Sequence, residues 1–272
     1  MTPFLARRER FASVGSTNDV VRTWLGEGSP EVCLAIAGEQ TAGRGRDGRR
    51  WVAPPDAALL LSLGFRPTWL GPADAWRLAA TASLAMAEAA DDAASLPAGT
   101  VRLKWPNDLV IMVGAPGGVA VRKLAGVLGE TEGLGTPDPR VVVGLGVNAD
   151  WAAADFPPDL AATMTSLREA GDGRRIETAR LLDGFLERLE PRVEALRSGR
   201  FDGAAWADRQ LTTGRTINLL TPDGDETVRA LGVDGTTGAL VVDDPASIAG
   251  ERRVLVGEVR HVRLAQPVQA KV

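Results

Sequence analysis

Apolar residues in this chain occur both as short continuous runs and as helically spaced series, which predicts a mixture of strands and helices. The helical series follow the capping signature Ser16-Thr17-Asn18 and recur over residues 73–90, 176–196 and 201–211. Pro191 is expected to kink or split the helix over residues 176–196. The continuous runs predict buried strands over residues 32–37, 57–65, 101–104, 109–113, 124–128 and 140–147.

The connections between these strands indicate the fold class. Short turns, such as the one predicted at residues 114–118, favour an antiparallel sheet with helices packed on it. After residue 211 the chain changes to short strands separated by turn sequences, with strands predicted at residues 216–220, 226–233, 239–243 and 253–263. We therefore predict an α+β fold with two domains, a main domain at residues 1–211 and a small SH3-like barrel at residues 212–272.

Length, charge and cysteine content exclude several classes of function. A chain of 272 residues can hold one large core and a small second domain. Its net charge of −4 gives no general attraction to nucleic acid. The apolar runs are too short to span a bilayer, and the N-terminus lacks the pattern of a signal peptide. Cys33 is the only cysteine, which excludes an internal disulfide and predicts a cytoplasmic protein.

Rare residue types narrow the chemistry further. His261 is the only histidine, so one chain cannot build a zinc site from several His and Cys ligands. A nucleophilic triad would have to use His261, which we interpret instead as a residue on a strand surface. Of 31 basic residues only three are lysines, and Lys104 and Lys123 both lie in unusual motifs. These two lysines are candidates for ligand contacts.

The segment 43–51 combines glycines with a high density of positive charge. Its glycines fit the pattern Gly-x-Gly-x-x-Gly, but a dinucleotide-binding loop opens a helix, whereas Pro54 and Pro55 follow here. The charge comes from four arginines that repel one another unless an anion joins them, at positions 44, 46, 49 and 50. We predict a mobile nucleotide-binding loop, with a plain solvated loop as the alternative. Trp51 either covers adenine or anchors the loop in the core.

Three further motifs place polar groups at strand ends. Pro106 in Lys104-Trp105-Pro106-Asn107-Asp108 ends a strand and leaves two polar side chains in a turn, although a simple hairpin turn is the alternative. The segment Lys123-Leu124-Ala125-Gly126 begins with an ammonium that suits a carboxylate or phosphate, unless the lysine is merely exposed. In Gly144-Leu145-Gly146-Val147-Asn148, small residues permit close approach of a ligand, and the asparagine offers a donor and an acceptor.

Taken together and in this order, the motifs resemble those of the biotin–protein ligase family, over roughly residues 14–150. The resemblance implies a catalytic domain related to class II aminoacyl-tRNA synthetases, with a mixed, largely antiparallel sheet. It also implies an ATP-dependent enzyme that forms biotinyl-5′-AMP and transfers biotin to a lysine of a biotin carboxyl carrier domain.

The same resemblance implies roles for individual residues. Arg46 and Lys123 would be catalytic, and Asp108 would help to bind Mg²⁺. Biotin would contact Ser16, Thr17, Asn18, Gln40, Arg44, Gly45, Arg46 and Lys123. ATP or the adenylate would contact Arg44, Arg46, Arg49, Trp51, Lys104, Asn107 and Asn148.

Two rival functions and the partners complete the expectations. A lipoate–protein ligase or octanoyltransferase resembles this fold, but the segment 43–51 argues against it. A non-catalytic biotin or nucleotide sensor would not need both Arg46 and Lys123. Only fifteen residues precede Ser16, which leaves no room for a DNA-binding domain, so no nucleic-acid partner is expected. The protein is expected to be a monomer or a weak homodimer.

Overall fold

The computed structural model describes residues 4–115, 118–222, 224–255 and 257–263, with backbone alone at residues 115 and 260–263. A seven-stranded sheet has the order β1-β2-β3-β7-β6-β5-β4. β1 runs parallel to β2, and every other neighbouring pair in this sheet is antiparallel. The strands are β1 (Arg7–Val14), β2 (Cys33–Gln40), β3 (Ala58–Phe65), β4 (Arg102–Lys104), β5 (Asp108–Ala115), β6 (Gly118–Glu132) and β7 (Arg140–Asn148).

Helices cover both faces of this sheet. They are α1 (Thr17–Gly26), α2 (Trp76–Ala93), α3 (Leu167–Ala170), α4 (Thr178–Arg197) and α5 (Gly203–Asp208). β2 shows how the two faces arise: Leu34 and Ile36 point into the main core with α2 and α4, while Cys33 and Ala35 pack against α1. In the described part of the chain, no helix is long and apolar enough to cross a membrane.

A second, antiparallel sheet follows the helices, in the order β11-β10-β9-β8-β12. Its strands are β8 (Thr216–Thr221), β9 (Gly224–Val233), β10 (Leu240–Asp243), β11 (Glu251–Val254) and β12 (Glu258–Arg263). The predicted α+β class with a mixed, largely antiparallel main sheet is confirmed. Closure of the second sheet into an SH3-like barrel and a domain boundary at 211/212 stay predictions.

Aromatic side chains join the two sheets. Trp76 on α2 lies 5.2 Å from Phe201 and 5.1 Å from Trp206, measured between ring centroids. Gly238, in the turn before β10, packs so closely on the Trp76 ring that a Cβ there would overlap it. Trp105 Nε1 donates to the carbonyl of the same glycine at 3.0 Å. The C-terminal sheet is therefore held directly against the Lys104–Asp108 motif.

Several elements differ from the sequence expectations. β1 was not predicted, because its arginine-rich sequence lacks a continuous apolar run. It is an edge strand whose side chains are alternately half-buried and exposed along most of its length. Pro191 lies within one continuous helix, since the fully buried Leu189 and Val193 hold α4 on both sides of it. The single strand expected over residues 253–263 is two strands, β11 and β12. The turn expected at residues 114–118 is narrower, and residues 116–117 lie outside the described residues.

Candidate active site

A cavity of about 880 Å³ lies between the N-terminus of α1, segment 43–52, the β4–β5 turn and β12. It brings together every predicted site residue except Asn148. Those that line it are Ser16, Thr17, Asn18, Gln40, Arg44, Gly45, Arg46, Arg49, Trp51, Lys104, Asn107, Asp108 and Lys123. Residues far apart in the sequence therefore form one pocket, which is the size expected for small-molecule ligands.

One end of the cavity is polar and uncharged, at the start of α1. Ser16 occupies the N-cap position, but its hydroxyl makes no hydrogen bond to the helix and stays available to a ligand. The Thr17 backbone N–H donates to Gln40 Oε1 at 2.7 Å, which fixes that carboxamide against the helix start. Asn18 completes this end and is almost fully buried. These groups suit a neutral ligand with both donors and acceptors.

Glycines on β7 make room for two of the lining side chains. A Cβ on Gly144 would overlap the Asn18 carboxamide, and a Cβ on Gly146 would overlap the Trp51 indole. The sequence predicted that a ligand would approach these glycines closely. In the structure, side chains of the protein itself occupy that space. Trp51 packs on this sheet surface with its Nε1 buried and without a hydrogen-bond partner in the described part of the chain. It anchors the segment to the core while one part of it borders the cavity.

The first and third arginines of the loop pair with carboxylates of the protein. Arg44 donates to both carboxylate oxygens of Asp19, at 2.7 and 2.8 Å. The Arg44 hydrogen bond is the main cause that lowers the pKa of Asp19, against the opposing effect of burial. Arg49 donates to both oxygens of Glu258, at 3.0 and 2.9 Å. Because carboxylates of the protein neutralise Arg44 and Arg49, the loop does not need a bound anion to offset the repulsion between these two arginines.

The other two loop arginines contact only backbone carbonyls in the described part of the chain. Arg46 donates to Gly257 O at 3.3 Å, and Arg50 donates to Thr41 O at 3.4 Å. Both border the cavity without an ion-pair partner among the described residues. Arg46 and Arg50 therefore carry the loop charge that an anionic ligand can neutralise.

Both internal lysines face one carboxylate. Lys123 Nζ lies 2.6 Å from Asp108 Oδ1, an ion-pair contact without hydrogen-bond alignment, and Lys104 Nζ lies 3.4 Å from Oδ2. Lys123 precedes a β-bulge, because Leu109 pairs with Ala125 while Val110 pairs with Lys123. Bulges commonly redirect side chains beside active sites. The lysine also lies 5.5 Å from the centre of the Trp51 ring, within cation–π range.

A segment after β7 fixes the backbone of Lys123. Its N–H donates to Thr163 O at 2.8 Å, and its carbonyl accepts from Thr165 N at 2.9 Å. Asn148, fully buried at the end of β7, donates from Nδ2 to Thr165 O at 3.0 Å, and its Oδ1 has no hydrogen-bond partner among the described residues. The predicted contact between Asn148 and adenine stays a prediction, and it would require this segment to move.

The lining residues do not fit a magnesium ion held by the protein. Asp108 and Glu258 are the acidic residues that line the cavity, and each already faces cationic side chains. Within the described residues, no group of three or more acidic, His or Cys side chains could hold a metal ion. A cation at Asp108 would have to displace Lys123 and Lys104. Binding of Mg²⁺ by Asp108 stays a prediction that this geometry does not support.

The balance of charge in the cavity favours an anionic ligand beside the neutral end. Among the described residues, six cationic side chains line it against two carboxylates. The sequence profile of the Biotin/lipoate A/B protein ligase family matches residues 11–148, more than half of the chain and nearly all of the cavity lining. This chain belongs to that family.

Individual relatives match a larger part of the chain than the family profile does. A biotin--[acetyl-CoA-carboxylase] ligase of Mycobacterium tuberculosis is 34% identical over 257 residues, covering 93% of this chain and 88% of the relative. An enzyme of the same name from Paracoccus denitrificans is 31% identical, covering 78% and 84%. The biotin protein ligase of Aquifex aeolicus in complex with biotin and ATP has a TM-score of 0.74 at 23% identity, covering 95% of this chain and 99% of that chain. At that identity the structural likeness shows the fold.

Sequence patterns missed four residues of this ligase-family site. Asp19 and Glu258 neutralise loop arginines, and neither position carries a sequence signal that pairs it with the loop. Ser62 and Glu130 both contact Asn18, at 2.6 and 2.8 Å. A signal for Ser62 was available, since it is a polar residue within the apolar run of β3. For Glu130, the available signal was an acidic residue at the end of the apolar stretch that begins after Lys123.

Proposed function

We propose that this chain is a biotin–protein ligase that forms biotinyl-5′-AMP from biotin and ATP and then transfers biotin to a lysine of a biotin carboxyl carrier domain. The observation that carries the proposal is one cavity with a neutral polar end at the start of α1 and a cationic end lined by Arg46, Lys104 and Lys123. Biotin has a neutral cyclic urea and a carboxylate, and ATP brings the phosphates. The names of the two ligase relatives support biotin over lipoate as the substrate.

In the first step, a biotin carboxylate oxygen attacks the α-phosphorus of ATP in line, and pyrophosphate leaves. The attacking group is already an anion, so the step needs no general base. Its obstacle is repulsion between two anions, which Arg46 and Lys123 reduce by lying at the meeting point of carboxylate and phosphate. Alignment and fixed positive charge supply most of the acceleration in reactions of this type.

In the second step, the neutral amine of the acceptor lysine attacks the carbonyl carbon of the mixed anhydride, and AMP leaves. Closure of segment 43–51 over the adenylate would exclude water and limit hydrolysis. Neither step requires a His or Cys nucleophile, in keeping with a described cavity lining that has neither. We place the enzyme in the cytoplasm, where biotin-dependent carboxylases would supply the acceptor domain.

Magnesium enters the proposal only as a counter-ion that accompanies ATP. Mg²⁺ prefers oxygen ligands and commonly binds through substrate phosphates with few protein groups. Lys104, Asn107 and Asp108 border the cationic end, where the phosphates would lie. We derive no chemical step through the ion.

The deciding experiment is biotin-dependent exchange of pyrophosphate into ATP, followed by transfer of labelled biotin to a purified carrier domain. Lys123→Ala should lower the exchange rate at least about 100-fold, as expected when a charge that stabilises the transition state is removed. Arg180→Ala is the matched control, because this side chain is 83% exposed and does not line the cavity. Thermal unfolding should be close to wild type for both variants.

Three other results would redirect the proposal. Exchange that depends on lipoate instead of biotin would indicate a lipoate-type ligase. Biotin binding without any exchange would indicate a sensor. Wild-type rates in Lys123→Ala would remove this lysine from the chemistry.

A further inference from the structure

Ser62 is a buried hydroxyl in a strand that is otherwise apolar. It is fully buried on β3, between Leu61 and Leu63. Strand alternation places it on the same face as Gly64, where Val21 of α1 packs so closely that a Cβ would overlap it. A buried hydroxyl without a hydrogen bond is costly, so the partners of Ser62 explain its presence in this strand.

Those partners are two residues at the neutral end of the cavity. Ser62 Oγ lies 2.7 Å from Thr17 Oγ1 and 2.6 Å from Asn18 Oδ1. On the other side, Asn18 Nδ2 donates to Glu130 Oε2 at 2.8 Å. A carboxylate only accepts hydrogen bonds, so the amide nitrogen of Asn18 must face Glu130 and its oxygen must face Ser62. The orientation of this carboxamide is therefore fixed from both ends.

The number of hydroxyl protons limits which hydrogen bonds Ser62 and its neighbours can form. Three oxygen–oxygen contacts link Gln40 to Thr17, Thr17 to Ser62 and Ser62 to Asn18, at 3.0, 2.7 and 2.6 Å. Two hydroxyl groups supply only two protons for these three contacts. Asn18 Oδ1 has no proton, so Ser62 donates to it. Thr17 then donates either to Ser62 or to Gln40.

The shorter distance from Thr17 Oγ1, to Ser62 rather than to Gln40, favours donation from Thr17 to Ser62. Donation from Thr17 to Ser62 gives both of the shorter contacts a proton and leaves a lone pair of Gln40 Oε1 without a hydroxyl donor. A ligand N–H near Gln40, which lines the cavity, would supply the missing donor. Without the Ser62 hydroxyl, Thr17 would turn its proton to Gln40 and occupy that lone pair. Asn18 would also lose the donor that holds its oxygen.

We propose that Ser62 and Glu130 are positioning residues for substrate recognition. They orient Thr17 and Asn18 so that this end of the cavity accepts from the N–H groups of a cyclic urea and donates to its carbonyl. The inference rests on the proposed biotin ligase function and deepens it by naming residues that determine how biotin is recognised. Neither Ser62 nor Glu130 lines the cavity, so both act through Thr17 and Asn18. Glu130 adds the second constraint, since it also binds Arg22 Nη2 at 2.6 Å and so is itself held in place.

The test separates recognition of biotin from the rest of the reaction. Ser62→Ala should raise the biotin Kd measured by calorimetry, and the biotin KM in pyrophosphate exchange, by about tenfold, the effect of losing one or two oriented hydrogen bonds. The ATP KM and kcat should stay within about twofold. Ser83→Ala is the matched control, because this hydroxyl is also buried but bonds only within α2, to Ala79 O at 2.7 Å. It should leave all three constants unchanged.

A double-mutant cycle tests whether Ser62 acts through Asn18. In an Asn18→Ala background, Ser62→Ala should raise the biotin Kd by only about twofold, because the effect through Asn18 is gone and only the effect through Thr17 remains. Glu130→Gln should raise the biotin Kd less than Ser62→Ala, since an amide oxygen can still accept from Asn18. Full additivity in the cycle, or a biotin Kd in Ser62→Ala equal to that of Ser83→Ala, would overturn the inference.

The controls also separate this inference from the proposed function. If wild-type protein shows no biotin-dependent exchange, the proposed function fails whatever Ser62→Ala does. If wild-type exchange is normal and Ser62→Ala lowers kcat with an unchanged biotin KM, only the positioning role is wrong.

Discussion

At the scale of single residues, the loop arginines that share one motif have different surroundings. Arg44 and Arg49 form ion pairs with Asp19 and Glu258. Arg46 instead contacts a backbone carbonyl, and Arg50 does the same at the far end of the loop. An unpaired guanidinium beside a cavity can form a bidentate contact with a phosphate or carboxylate without first breaking an ion pair. Arg46 and Arg50 are thus the loop residues that an anionic ligand can reach without breaking an ion pair, and the assignment of Arg46 to the adenylate stays a prediction.

Arg46→Gly should therefore weaken retention of the adenylate more than its formation. We expect biotinyl-5′-AMP to leave the variant at least about tenfold faster than wild type, because about one charge-assisted contact is lost. Filter-binding of labelled adenylate over time measures this rate. Arg50→Gly, which adds the same backbone freedom and removes another unpaired loop charge, should change it less. Equal release from both variants would argue against a specific role for Arg46.

The sequence predicted which residues meet in the cavity better than it predicted their partners. The thirteen candidates that line it belong to local motifs, whose residue types and spacing are visible in the chain. Their partners come from remote positions: Asp19 pairs with a residue 25 positions away, and Glu258 with one 209 positions away. Only the packing of α1 and the two sheets brings these residues together. Asn148 illustrates the same limit, since its burial depends on the segment after β7.

At the scale of elements, segment 43–51 connects three parts of the fold. Asp19 on α1 holds its first arginine, Trp51 packs on the main sheet, and Glu258 on β12 holds Arg49. The lowered pKa of Asp19 means that this ion pair forms above its ordinary pKa of 3.8 and is lost only as pH falls below that value. The α1 contact should therefore be constant between pH 5 and 8, roughly the range in which most proteins are most stable.

Glu258→Gln should free the Arg49 half of the segment from the second sheet. We expect tryptic cleavage after Arg46, Arg49 and Arg50 to be about two- to fivefold faster than in wild type, because an ion pair of this exposure is worth up to about 1 kcal/mol. Mass spectrometry of the early fragments locates the cuts. Glu251→Gln on β11, at the opposite edge of the second sheet from β12, is the control and should not change the rate at this segment. Protection of both variants by biotin and ATP together would show that ligand still orders the loop.

Elements were predicted well where hydrophobic periodicity alone decides them. The apolar runs of β2, β3 and β7 and the alanine-rich α2 lie within three residues of their expected bounds. β1 could not be predicted, because it is an edge strand whose partner, β2, supplies the hydrogen bonds that make it a strand. The split between β11 and β12 likewise depends on each strand having a different partner, β10 and β8.

At the scale of the whole molecule, a small junction couples the second sheet to the active site. Gly238 lies on the Trp76 ring with a φ of +75°, and its carbonyl accepts from Trp105 Nε1. Trp105 is part of the motif that carries Lys104 and Asp108 into the cavity. A displacement of the second sheet would therefore reach the cationic end of the site through one hydrogen bond and one ring contact. Sequence patterns did not indicate this junction, because it joins α2, the β4–β5 turn and the turn before β10.

Gly238→Ala tests this coupling, and Gly250→Ala is its matched control. Both glycines have a positive φ, +75° and +71°, so alanine suffers similar backbone strain at each, about 1 kcal/mol. Only at Gly238 would the new Cβ also overlap the Trp76 ring, whereas nothing lies within 4 Å at Gly250. We expect Gly238→Ala to lower the free energy of unfolding by about 1–3 kcal/mol more than Gly250→Ala, measured by urea denaturation.

The same pair of variants separates stability from function. The overlap would shift the carbonyl that holds Trp105, so Gly238→Ala should also raise the KM for ATP about three- to tenfold, the effect of weakening about one hydrogen bond to the motif. The KM for biotin should change little, because the neutral end of the cavity lies at the start of α1 and the end of β2. If Gly238→Ala is destabilised but both KM values match those of Gly250→Ala, the junction contributes only to stability and does not position the active site.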